Sequence, residues 1–173
     1  MCTVCYAAYT YDLGFNSACD GEDNLFTVLN NVLRERLPAK MLLLKPFLAY
    51  LLRGLAQLPV ATGLVYRGVP APTRPAIDEH YTLGADVHWS GFTITTLDPA
   101  RARAFAQGPG GIIFRITLVN GGRRVSAYSA FPSESEVLLS PNARFIVTAP
   151  CRENPDGYCY VDMLERAGEG IVF

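Results

Sequence analysis

The sequence lacks a basic stripe. Its 15 Lys and Arg are balanced by 16 Asp and Glu, giving a formal net charge of -1, which argues against a primary nucleic-acid role. There is no run of like charges, no low-complexity tail and no internal repeat. The opening residues, Met1-Cys2-Thr3-Val4-Cys5-Tyr6, have neither a positive start nor a sustained apolar segment, so they do not read as a secretory signal. A long uninterrupted apolar run is also missing. The most apolar stretch, residues 41–58, carries Lys45, Pro46 and Arg53. Charges at that depth are costly in lipid, so a buried helix is expected there and not a membrane span. The only two histidines, His80 and His88, stand apart, and Cys2-x-x-Cys5 has no second pair to complete a zinc site. No metal is expected. The five cysteines are an odd number, which argues against a complete disulfide framework. Free thiols in a reducing, cytoplasmic setting fit this pattern; one disulfide in the N-terminal segment, or a secreted or delivered protein, is the alternative.

What is present suffices for a core. Half of the 173 residues are hydrophobic and 11% are aromatic, enough for one domain spanning 1–173. After an irregular start, Asp20 or Asp23 can cap a helix running to about Arg36, with Leu25, Phe26, Leu29, Val32 and Leu33 on one face. Pro38 ends it, and a second helix is expected from near Pro46 to Gln57. From Leu64 the pattern becomes β-rich. Strands are expected at 64–69, 86–89, 92–96, 112–118, 143–149 and 157–165, with another following Glu136. One helical turn is expected around 76–80, and a helix opened by Asp98 as N-cap and Pro99 at the first position. Asn120-Gly121-Gly122 reads as a turn. Helices first and short strands after, with a helix between, make an α+β chain: a helical part over 1–60 and a β-rich core over 61–173.

Three segments carry candidate chemistry. Arg67, in Tyr66-Arg67-Gly68, is an arginine within an apolar β run. It reads either as an edge residue with a structural partner or as a clamp for phosphate or carboxylate, for which the guanidinium fork is well shaped. Gly68 beside it would let a ligand approach the backbone. Thr93 to Thr96 is a hydroxyl-bearing strand, which by itself reflects β propensity. Glu134-x-Glu136 puts two carboxylates two residues apart. In an extended chain they point to the same side, an arrangement suited to stabilising a sugar cation while a second group handles an acceptor; the same pattern is also that of an ordinary solvated strand edge.

In this order, the strand arginine, the hydroxyl strand and Glu-x-Glu resemble the arginine, Ser-Thr-Ser, Glu-x-Glu signature of the arginine-specific mono-ADP-ribosyltransferases. The resemblance covers about residues 46–147 and includes Val65-Tyr66-Arg67-Gly68-Val69, Trp89-Ser90-Gly91-Phe92-Thr93, Leu97-Asp98-Pro99 and Phe131-Pro132-x-Glu134-x-Glu136-Val137-Leu138-Leu139. It implies a helical N-terminal part packed on two small antiparallel sheets with NAD in the cleft between them. It also implies transfer of ADP-ribose from NAD to an arginine on an acceptor protein. Arg67 would hold the diphosphate or nicotinamide ribose, and the Gly68 backbone the nicotinamide amide. Thr95, Thr96 and Phe131 would line the same NAD site. Glu136 would be the main catalytic carboxylate and Glu134 would orient the acceptor guanidinium. The loop 126–135 would read the target through Tyr128 or Phe131.

One position departs from the signature. Ile94 stands where the first serine, which helps to position the catalytic glutamate, is normally found. Ile94 and Thr96 share one strand face and Thr93 and Thr95 the other. An isoleucine cannot donate to Glu136, so slower catalysis is expected. The rival readings are an NAD glycohydrolase, an NAD-binding or protein-binding module without activity, and a carbohydrate hydrolase. The last fits poorly because glycosidase carboxylates usually come from different segments across a cleft.

Overall fold

A computed structural model describes residues 25–36, 38–129 and 132–166. Among the described residues the first helix, α1 (Leu25–Glu35), turns its apolar stripe inward, with Leu29, Val32 and Leu33 buried. It stops at Arg36, whose φ of 53° leaves the right-handed helical region. Helix α2 (Pro38–Leu55) starts eight residues earlier than the sequence suggests. Pro38, not Pro46, opens it, since a proline costs nothing at a first position. Pro46 lies inside the helix on its exposed side, where the carbonyl left without a donor can turn to water. Among the described residues no helix is long and apolar enough to cross a membrane.

Seven strands follow among the described residues: β1 (Val60–Val69), β2 (Asp86–Trp89), β3 (Thr93–Thr96), β4 (Ile112–Arg124), β5 (Glu136–Leu139), β6 (Ala143–Glu153) and β7 (Cys159–Glu165). Two further helices lie between them: α3 (Arg74–His80) and α4 (Pro99–Ala106). The α+β class is therefore as expected. Hydrogen bonds join the strands into one seven-stranded sheet in the order β1-β3-β5-β4-β7-β6-β2, with β1 also paired to β4. The circuit β1–β3–β5–β4 closes on itself, while β7, β6 and β2 extend from the other edge of β4. All pairs are antiparallel except β4 with β7.

The closure explains why Asn120-Gly121-Gly122 is not a turn. β4 continues through it with a bulge in its pairing to β1. At Gly121 (φ 90°) a Cβ would stand 2.5 Å from Val60 Cγ1, and at Gly122 2.5 Å from Val137 Cγ1. The glycines let β4 crowd against β1 and β5 at once. Three successive backbone N–H groups there, from Val119, Asn120 and Gly121, donate to one oxygen of Glu165, which satisfies the donors that the distorted strand would otherwise leave unpaired.

Three apolar groups hold these layers. One face of the sheet buries Val65, Phe114, Ile116, Val137, Phe145, Val161 and Met163 together. On β3 and β5 the opposite face, with Leu138, meets Leu29, Leu33, Leu48, Leu51 and Leu55 of α1 and α2. Helix α4 packs on β4 and β7 through Ala102, Ala106, Ile113 and Tyr160, with Tyr66 alongside.

Candidate functional site

The four-residue strand β3 is the element on which the site is assembled. Thr96 is the register partner of Tyr66 in β1 and of Glu136 in β5. One residue on from Tyr66, Arg67 sends its Nη1 to the Ile94 carbonyl at 2.9 Å. Its guanidinium also lies 6.0 Å from the centre of the Trp89 ring, within cation–π range. Trp89 in turn donates its indole N–H to Tyr81 Oη at 2.8 Å, so the arginine is flanked by a braced aromatic pair. Ile94 and Thr96 are two residues apart, a span of about 7 Å in a strand. The guanidinium and the Glu-x-Glu segment are thus fastened to the same short strand from its two sides.

The hydroxyl of Thr96 is used on backbone. It donates to the Glu134 carbonyl at 2.6 Å and accepts from the Asp98 N–H at 3.0 Å. Leu97 N–H donates to the Ser135 carbonyl at 3.2 Å. Asp98 caps α4 by accepting from the Ala100 N–H at 2.8 Å, with Pro99 at the first position, as the sequence suggests. A single threonine therefore sets the Glu134 backbone and the start of α4 relative to each other.

The two glutamates do not share a side through strand alternation. Glu134 ends a short 3-10 turn (Pro132–Glu134), Ser135 has a φ of 48°, and β5 begins only at Glu136. The chain is turned between them, not extended, so the period-2 expectation fails here. Their proximity is nevertheless felt electrostatically. Burial pushes the Glu136 carboxyl above its ordinary range; a hydrogen bond from Ser129 pulls against that, and the neighbouring Glu134 charge adds to the rise. Glu136 is 5% exposed. Its Oε2 is buried with no hydrogen-bond partner among the described residues, a costly state unless a ligand supplies a donor.

The other sequence candidates fall in different places. Thr95 is 2% exposed, leaves β3 on the face opposite Thr96 and donates to the Val137 carbonyl at 2.8 Å. It holds β5 in place and is turned away from the Thr96 side, because neighbouring strand residues alternate. Gly68 has no Cβ because α4 leaves no room: one built there would stand 1.8 Å from the Ala102 carbonyl oxygen. Its missing side chain is thus taken up by helix packing. Ile94 packs against the α1/α2 cluster. Tyr128 is exposed, and Phe131 lies outside the described residues, as does Cys2-x-x-Cys5.

Sequence reasoning missed Ser129. A lone serine in a loop carries no signal, and its contact with Glu136 exists only because the turn before it folds back. It also passed over Tyr81 and Trp89 as neighbours of Arg67; aromatic residues two segments away have no spacing relation to a strand arginine.

Known proteins bear on this geometry. Residues 15–166 match the family model described as NAD:arginine ADP-ribosyltransferase. The chain is 34% identical over 116 residues to a protein of Mycobacterium avium named a putative NAD(+)--arginine ADP-ribosyltransferase, Mav, covering 66% of this chain and 13% of that protein. It is 32% identical over 129 residues to the NAD(+)--protein-arginine ADP-ribosyltransferase Tre1 of Serratia proteamaculans, covering 75% of this chain and 27% of that one. The chain thus spans about an eighth to a quarter of the length of these curated relatives. Among solved structures, the ADP-ribosyltransferase HopU1 of Pseudomonas syringae superposes with a TM-score of 0.71 at 22% identity, covering 94% of this chain and 76% of that one. Exoenzyme S of Pseudomonas aeruginosa, solved with carba-NAD, superposes with a TM-score of 0.68 at 20% identity, covering 97% and 75%. These structures share the fold, and the family match extends over most of the sequence, including every segment that meets at β3: the chain belongs to the NAD:arginine ADP-ribosyltransferase family.

Proposed function

We propose that this chain transfers ADP-ribose from NAD to the guanidinium of an arginine on an acceptor protein, releasing nicotinamide. The observation that carries the reading is the buried, unpartnered Oε2 of Glu136, directly across from Thr96. A carboxylate oxygen in that state fits a ribose hydroxyl, which would supply the missing donor.

In this reading NAD is the substrate, and each residue has a defined task. Arg67 pairs with its diphosphate or with the nicotinamide ribose, and the Gly68 backbone with the nicotinamide amide. Glu136 accepts a hydrogen bond from the ribose 2'-hydroxyl. Its negative charge acts mainly on the transition state, where the bond from C1' to nicotinamide breaks and its electron pair leaves with nicotinamide, placing positive charge on the sugar. Glu134, on its turn beside β3, holds the acceptor guanidinium, a bidentate partner for a carboxylate. A guanidinium nitrogen then bonds to C1' and gives up a proton to Glu134 or to water. Thr96 contributes by fixing the Glu134 backbone.

The test is incubation with NAD labelled in the adenylate, with agmatine or poly-arginine as acceptor. Product on the acceptor that disappears in Glu136→Gln supports the reading. Free ADP-ribose formed at the same rate with and without acceptor would make the chain a glycohydrolase. NAD binding with no Glu136-dependent product would make it a binding module.

A further inference from the structure

Glu136 sits in an awkward position for an ionised group. It is 5% exposed, and both burial and the Glu134 charge favour its protonated form. One carboxylate oxygen has no partner among the described residues. Ile94, which precedes Thr96 on the same strand face, packs its apolar side chain into the α1/α2 cluster and offers no donor. Thr96 has already placed its own hydroxyl proton on the Glu134 carbonyl. A carboxylate with so little support is poorly aimed and only weakly held in its charged state.

A donor is built in from another direction. The 3-10 turn Ser126–Tyr128 follows directly on Val125, which is fully buried. The turn is tied to Glu136 itself: Val125 N–H donates to the Glu136 carbonyl at 3.2 Å, and the Ser126 hydroxyl reaches the same carbonyl at 3.4 Å. Ser129 closes the turn, its N–H donating to the Ser126 carbonyl at 3.3 Å. That places the half-buried Ser129 side chain beside Glu136, where a hydrogen bond from it favours the charged carboxylate. The backbone of Glu136 and its side chain are therefore gripped by one short segment, residues 125–129.

We propose that Ser129 is a positioning residue for Glu136: its hydroxyl, carried on a turn pinned to the Glu136 carbonyl, holds one carboxylate oxygen so that the other faces the substrate. The proposal rests on the transferase reading above. It assigns a role to the segment just before the Glu-x-Glu turn that is separate from any recognition of the acceptor. It also accounts for how a chain with isoleucine at position 94 keeps an ordered catalytic carboxylate.

The test compares Ser129→Ala and Ser129→Thr with the parent protein, using NAD and agmatine. Losing the hydroxyl removes an interaction that favours the charged form. The acid limb of the pH–rate profile should therefore move to higher pH in Ser129→Ala, and kcat should fall by about 10-fold, as it does when a supporting contact to a reacting group is cut. KM for NAD should change little, since the role assigned to Ser129 is to hold Glu136 and not to bind NAD. Ser129→Thr keeps the donor and should restore both kcat and the acid limb. Melting curves of all three establish that the comparison is made between folded proteins. An unshifted acid limb with parental kcat in Ser129→Ala overturns the proposal, as does a Ser129→Thr variant as slow as Ser129→Ala. If the parent protein forms no Glu136-dependent product at all, the transferase reading fails. If it does form product while Ser129→Ala is indistinguishable from it, only the role of Ser129 fails.

Discussion

Replacing Gly68 with alanine separates two explanations of one glycine. The residue is not in the left-handed region, so alanine faces no backbone strain there. The obstacle is steric. The added Cβ would stand 1.8 Å from the Ala102 carbonyl oxygen, more than an ångström inside the closest approach that a Cβ tolerates, and 2.8 Å from the Ala106 nitrogen. Those atoms are backbone, the acceptor and donor of one helical turn of α4, and they cannot rotate aside. Relief requires moving α4 outward, away from Ile113 and Tyr160, where Ala102 and Ala106 are now buried. Overpacking of this kind costs about 1–3 kcal/mol and more where backbone must move; a loss of about 3 kcal/mol is expected for Gly68→Ala. For a chain of this size that lowers Tm by roughly 6–12 °C. Thermal unfolding followed by circular dichroism, with a urea titration alongside, measures it. If Gly68→Ala keeps the parental Tm and only weakens NAD binding, the packing argument is wrong and the space beside Gly68 is reserved for ligand.

Other perturbations probe the strand on which the site is built. Thr96→Val removes the bond to the Glu134 carbonyl and the acceptor for Asp98 N–H; the stranded buried groups should cost about 1–3 kcal/mol. Thr95→Val removes one bond to a β5 carbonyl and should cost less. At a temperature where both variants are folded, the Thr96 variant should show the larger loss of transfer to agmatine, and equal losses would refute the separation of their roles. Glu136→Gln should stabilise the folded protein while inactivating it. Burial raises the carboxyl above its unfolded value, so the native state holds the proton longer. Stability contributed at this site is therefore intact at low pH and falls as pH rises from the unfolded value through the folded one. The gain in Tm from the glutamine should thus be larger at neutral pH than near pH 4, and a gain that grows on acidification would contradict the sign.

Much of this was legible from residue pattern. The inward stripe of α1, the Asp98-Pro99 start of α4 and the apolar β runs follow from local rules that the tertiary structure obeys. The three segments that meet at β3 were identified in order, although nothing in their spacing says that a four-residue strand would hold them. Failures came where tertiary packing overruled a local rule. Pro46 stays within α2 because its face is open to solvent, and Gly121 and Gly122 serve a strand junction and not a turn. Glu134 and Glu136 are related by a left-handed Ser135, not by strand alternation. The hydroxyl that favours the charged carboxylate comes from Ser129, whose relation to Glu136 is set by a turn that only the folded chain reveals.

The most direct measurement is a crystal structure of Glu136→Gln or of the parent protein with NAD or an unreactive analogue. The ribose 2'-hydroxyl is expected within hydrogen-bond distance, about 2.6–3.0 Å, of the residue 136 side chain, with the Arg67 guanidinium on the diphosphate or the nicotinamide ribose of the same molecule. A dinucleotide bound elsewhere, or one that meets Arg67 while the side chain at 136 stays buried without a contact to it, would contradict the account.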